Sequence, residues 1–233
     1  MLKSWPITLL FGVLFLSSAL TSGYARARPD YPPLSAYLMP EKEEISLARS
    51  AAPATISDHA SIKVLTDAGY KVVTEGSNGF VCLVLRGWSA PTYTPKEIGI
   101  VYSPEVRAPI CFDPEAVRTV LPYYELRTRL GMAGLTPDEI AAGVETAYTT
   151  GELPPRDGVS FAYMWSADQN LVPSIGAWHP HIMIFAPYYE NDMIGGNAFG
   201  SPLPQVTDDG GTPFAVIAIP VDHGLAVSAV PTS

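Results

Sequence analysis

The sequence predicts an α+β fold: a mainly antiparallel sheet with about three helices packed on one face, in a single domain. Three observations carry this expectation. Apolar, β-rich runs crowd residues 57–88. Helices with well-signed starts occupy 113–151. Apolar runs separated by loops then return at 159–165, 181–187 and 213–221. Strands, then helices, then strands again is the order expected of an antiparallel sheet with its helices gathered to one side.

The first segment is set apart from the fold. Lys3 supplies a positive charge, and Ile7 to Leu20 is an almost unbroken apolar run. Small residues follow at Gly23, Ala25 and Ala27. This is the layout of a secretory signal peptide. The apolar run is shorter than the roughly 20 residues a membrane span needs. Residues 1–25 are therefore expected to be removed, by cleavage after Ala25 or after Ala27. No cysteine follows the run, which argues against a lipid anchor, and no second long apolar run argues for a stable span in the mature chain.

Residues 26–42 read as an extended leader, because Pro29, Pro32 and Pro33 preclude a regular helix. The single domain is expected over 43–225, with 226–233 a flexible tail. Glu41 to Ala51 has helical composition and a partial apolar face at Ile45, Leu47 and Ala48, ended by Pro53. Ile62, Val64 and Leu65 mark a short strand, and Asp67-Ala68-Gly69 a turn. Tyr70–Glu75 and Phe80–Arg86 flank Gly76-Ser77-Asn78-Gly79, a pattern that predicts a β-hairpin. Apolar neighbours on both sides of Cys82 predict a strand buried on both faces.

Four prolines between Ser89 and Pro109 predict an irregular excursion. Asp113-Pro114 is an N-cap followed by proline in the first turn, with Pro122 expected to kink or split the helix that follows. Thr136-Pro137-Asp138-Glu139 is a capping box. Ile140, Val144 and Ala147 line one face of its helix, and Gly151 ends it. Pro154 to Gly158 reads as a turn, and 188–211 as a polar, glycine-rich excursion.

The formal charge is −9, from 14 basic and 23 acidic residues. An acidic chain without a basic cluster repels phosphate, so nucleic acid and anionic lipid headgroups are poor partners. Two cysteines, Cys82 and Cys111, in an exported chain argue for one disulfide, with two buried free thiols as the alternative.

The stretch richest in reactive groups is Trp178-His179-Pro180-His181. In an extended segment, residues i and i+2 share a face. His179 and His181 could then meet one metal ion, with a divalent transition metal as the expected cofactor. The further ligand would be His223 or Glu190, with Asp192 and His59 also in reach of consideration. The competing reading makes both histidines structural, at a strand edge where Pro180 cannot join a ladder. Trp178, Tyr163 and Trp165 are the candidate pocket aromatics, although clustered rings more often form core. Asp58-His59 and Asp222-His223 are only sequence neighbours, and their side chains diverge. There is no Gly-x-Ser-x-Gly elbow, phosphate loop, dinucleotide fingerprint or His-Glu-x-x-His helix.

The segments Ala-Ala-Pro-Ala-Thr-Ile-Ser (51–57), Gly-Ser-Asn-Gly-Phe-Val-Cys (76–82), Ala-Pro-Ile-Cys-Phe-Asp-Pro (108–114) and Trp-His-Pro-His-Ile-Met (178–183) resemble a family of exported bacterial proteins without an assigned activity. The resemblance spans about 48–205. It implies bacterial export, to the periplasm or beyond, and no catalytic residue. The functional expectation is a periplasmic binding module with a metal or small-ligand site at His179/His181. The alternatives are a metal-dependent enzyme (hydrolase or oxygen-using) on the same residues, or a non-catalytic envelope accessory protein. The expected partner is a small ligand or an envelope protein.

Overall fold

A computed structural model describes residues 31–88, 102–170, 180–198 and 201–221. The expected signal peptide (1–25), Trp178, His179, His223 and the expected tail lie outside the described residues. Among those described, eight strands form one sheet. They are β1 (Ser61–Thr66), β2 (Gly69–Thr74), β3 (Val81–Leu85), β4 (Ala108–Phe112), β5 (Ser160–Met164), β6 (His181–Phe185), β7 (Gln205–Asp208) and β8 (Val216–Pro220). Their order is β2-β1-β3-β4-β5-β6-β8-β7, antiparallel at every pairing except β1–β3. The fold is α+β, as the order of elements in the sequence predicts. No helix among the described residues is long and apolar enough to cross a membrane.

The expected hairpin between 70–75 and 80–86 does not form. Both strands exist, but β1 lies between them. β2 pairs back onto β1 through the turn at 67–68, and β3 pairs with β1 in parallel. The Gly76–Gly79 loop instead crosses the entrance to β1, where Ser77 and Asn78 N–H groups donate to the His59 carbonyl. Gly76 is pressed so close to this backbone that a Cβ would lie 2.2 Å from the Ser61 nitrogen. Asn78 donates through Nδ2 to the Ile56 carbonyl and accepts from the Phe80 N–H. The turn chemistry in the sequence is real, but it serves a crossing that local pattern cannot distinguish from a hairpin.

The helices follow their signals closely. Helix α1 (Glu41–Arg49) precedes a one-turn helix α2 (Ala54–Ser57) that begins after Pro53. Pro122 divides the next helical stretch into α3 (Pro114–Thr119) and α4 (Leu121–Met132). The Asp113 side chain accepts from the Ala116 N–H at the start of α3. Helix α5 (Pro137–Thr149) opens on the complete Thr136/Glu139 capping box. The excursion 188–211 holds a 3-10 turn at Asn191–Ile194 and the terminal strand β7. Alternation is too short there to reveal a strand of four residues.

Helices α3, α4 and α5 cover one face of the sheet. Leu83, Leu85, Ile110, Phe112, Met183 and Phe185 point into this layer and meet Leu121, Tyr124, Leu126 and Val144. Trp88 packs flat onto α4 at Gly131, where a Cβ would lie 2.3 Å from the indole. Helix α1 crosses to the opposite face, over Ile62, Cys82, Val84 and Cys111. β3 is therefore covered on both sides, and all five of its residues are buried.

Cys82 and Cys111 face each other across the β3–β4 ladder and are joined by a disulfide, 29 positions apart in sequence. A second tie is ionic. Glu44 of α1 and Arg86, just after β3, are both 0 % exposed, with Nη2 2.8 Å from Oε2. The approach is an ion pair at an angle outside that of a hydrogen bond. Arg86 Nε donates to the Tyr37 carbonyl and Nη1 to the Val84 carbonyl, while Glu44 Oε1 accepts the Leu65 N–H. The leader is thereby drawn into the domain, and Tyr37 stacks on Trp88 with ring centroids 4.0 Å apart.

Replacing Cys82 with serine is expected to cost about 3–4 kcal/mol, since the bond restrains a loop of some 30 residues in the unfolded chain. Thermal melts with and without reductant check it; identical melting would sink a stabilising role. Arg86→Met is expected to cost about 3–5 kcal/mol by stranding the Glu44 carboxylate. Adding Glu44→Gln should restore much of that loss in the same melts.

Candidate functional site

The described residues among those singled out from sequence lie in different parts of the domain. His181 opens β6, opposite Met164 of β5 and Pro220 of β8. It is 3 % exposed and shares the α3–α5 face with Met183 and Phe185. Tyr163 projects to the other face, where it meets Phe80 and Phe161. The Trp165 N–H donates to the Ala51 carbonyl on that same side. Glu190 is exposed beyond the far end of β6. Four residues of strand, about 13 Å at 3.3 Å per residue, already separate His181 from Phe185 on the way there. Among the described residues no group of three or more His, Cys, Asp or Glu side chains is placed to hold a metal ion.

The structure gathers a different set of residues. A cleft of about 850 Å³ opens between α5 and the segments 155–156, 188 and 209–214. Its walls include Val144, Tyr148, Pro155, Pro213 and Phe214, and its polar members include Asp138, Glu145, Arg156 and Asp209. This volume lies within the roughly 300–1,000 Å³ of small-molecule sites.

Each wall has a local cause. α5 ends at Gly151, whose φ of 76° lets the chain reverse. The Leu153 N–H then donates to the Ala147 carbonyl, so that 152–156 folds back along the helix. On the opposite wall, Tyr188 and Asp209 adopt left-handed backbone, with φ of 64° and 51°. Such geometry costs about 1–3 kcal/mol per non-glycine residue and gathers at functional sites. Here it is fixed by backbone bonds from Tyr188 to Thr212 (2.8 Å) and from Gly211 to Tyr189 (2.9 Å). The Thr212 hydroxyl closes the turn by donating to the Asp209 carbonyl at 2.6 Å.

Arg156 lies at the inner wall, 9 % exposed. Its guanidinium carbon sits 4.7 Å from the ring centroid of Phe214, 4.8 Å from that of Tyr123 and 5.8 Å from that of Phe185. Nε and Nη2 are buried with no hydrogen-bond partner. Tyr148 packs edge-on against Phe214 (4.8 Å), and its buried hydroxyl lies beside the Arg156 side chain without a well-formed hydrogen bond. Burial pushes the Tyr148 phenol above its ordinary value of about 10, against a downward pull from the Arg156 charge.

Neither Arg156 nor Tyr148 was a candidate from sequence. Arg156 sits in Pro154-Pro155-Arg156-Asp157-Gly158, a stretch whose composition announces a turn and therefore solvent. Only the packing of Phe214 and Tyr123, 58 residues downstream and 33 upstream, turns it inward. No family model, curated protein or solved structure matches this chain.

Burial raises other phenols too: Tyr37 is pushed up to about 12, first by burial and then by neighbouring Tyr31, and Tyr70 and Tyr102 are also raised by burial. A raised folded pKa stabilises the fold fully below the unfolded value of about 10, and that stability is lost as pH climbs through the folded value. The melting temperature is expected to hold from pH 8 to 9.5 and to fall steeply between about pH 10 and 12. Tyrosinate absorbance should appear together with the loss of native circular dichroism. A gradual phenol titration with the fold intact would contradict it.

Proposed function

We propose that this is an exported binding module for a small molecule, and that the ligand sits in the cleft against α5. The observation that carries the reading is the cleft itself: ligand-sized, apolar-walled, and edged by two left-handed residues held in place by backbone bonds. Export is supported by the charged and apolar N-terminal pattern and by the disulfide, which persists in oxidising compartments. An acidic chain with no basic cluster favours small molecules over nucleic acid as partners.

The reading moves the site away from His179/His181. His181 faces the helix layer, and Glu190 lies past the opposite end of its strand. Metal analysis of untagged protein separates the two. Near-stoichiometric transition metal that vanishes in His179→Ala/His181→Ala would favour the metal-dependent enzyme instead.

The cleft is tested by saturation-transfer NMR against organic acids, amines, sugars and nucleosides, on the natural protein and on Ala142→Trp. Ala142 is an exposed residue of the cleft wall, so the indole fills the space without entering the core. Ligands should bind the natural protein and be lost from the filled variant, with both folded by circular dichroism. An absence of ligands, or binding unaffected by the tryptophan, would overturn the reading.

A further inference from the structure

The cleft holds a buried positive charge that no described residue neutralises. Arg156 makes no ion pair among the described residues, and its Nε and Nη2 have no hydrogen-bond acceptor. Buried charges in folded proteins are ordinarily paired. The rings of Tyr123, Phe214 and Phe185 offset part of the desolvation through their π faces, but they accept no conventional hydrogen bond. Nε and Nη2 are also a particular pair. They lie side by side on one edge of the planar guanidinium, and their N–H bonds run parallel, which matches the two oxygens of a carboxylate.

From this we infer that the ligand is a small carboxylate with a flat, apolar body, and that Arg156 is the residue that selects its charge. The inference rests on the cleft being the binding site. The carboxylate pairs with the Nε/Nη2 edge, and the body lies along Val144, Tyr148, Pro213 and Phe214. Reaching that edge requires Phe214 or Tyr148, both only half-buried, to rotate aside. Asp138, Glu145 and Asp209 at the walls repel negative charge, so the carboxylate is accommodated only against Arg156 at the inner wall.

A purely structural arginine and a ligand-selecting one make opposite predictions. If Arg156 serves the fold, Arg156→Met lowers the melting temperature. If it is held uncompensated for a ligand, the variant melts at the same temperature or higher, because an unpaired buried charge has been removed. The binding experiment is calorimetry with benzoate, 3-phenylpropionate and octanoate, their neutral amides, and phenylpropylamine. Variants are Arg156→Met and Arg156→Lys, the latter retaining the charge without the fork. At least one acid should bind the natural protein about tenfold or more tighter than its amide, as expected of a charge-assisted pair. Arg156→Met should erase this preference while leaving amide affinity unchanged, and Arg156→Lys should fall between.

Acids and amides binding equally, with both lost in Ala142→Trp, would overturn the carboxylate inference and leave the cleft as the site. Acid binding that survives both Arg156→Met and Ala142→Trp would overturn both. A lower melting temperature for Arg156→Met together with an intact acid preference would also overturn the inference.

Discussion

One end of the molecule depends on two charges removed from water together. Glu44 and Arg86 meet with no exposure at all, and each is bonded further to backbone. Through them α1, the leader at Tyr37, β1 at Leu65 and the end of β3 at Val84 hold one mutual position. Tyr70 of β2 joins by donating its hydroxyl to the same Val84 carbonyl at 2.6 Å. A buried ion pair adds little net stability over an apolar replacement, but it tolerates few geometries. Here it ties the leader and α1 to the end of β3 and to β1.

Arg156 occupies the opposite condition. It is nearly as buried as Arg86, on the helix-covered face, yet it meets rings where Arg86 meets a carboxylate and two carbonyls. The same side chain thus stands in two different buried settings. The difference lies in the counter-charge: Arg86 has the Glu44 carboxylate and two carbonyls, and Arg156 has no ion-pair partner among the described residues.

The segments 51–57, 76–82 and 108–114 converge in space for structural reasons. The Ile56 carbonyl takes the Asn78 amide, Gly76 lies on 59–61, and Cys82 is bonded to Cys111. A Cβ on Gly79 would meet the Pro114 ring at 3.1 Å, and Ala51 receives the Trp165 N–H. These motifs build the crossing of the chain under β1 and the start of α3. None of their described residues lines the cleft.

What the sequence by itself determined were local events with local causes. The Thr136/Glu139 box, the Asp113 cap, the break at Pro122 and the stop at Gly151 depend on hydrogen bonds and φ preferences within a few residues, and each appears where its signal stands. The doubly buried β3 was equally legible, because covering both faces requires an unbroken apolar run. Strand partnership was decided only in three dimensions. Gly76–Gly79 suits a hairpin and a crossing alike, and the choice lies with the burial of β1 between its neighbours. So too with the site: Arg156 is a turn residue to its neighbours in sequence, and Tyr123, Phe185 and Phe214 come from three distant elements to enclose it. Long-range packing leaves no periodicity in the chain, and for that reason the candidate site belongs to the tertiary structure.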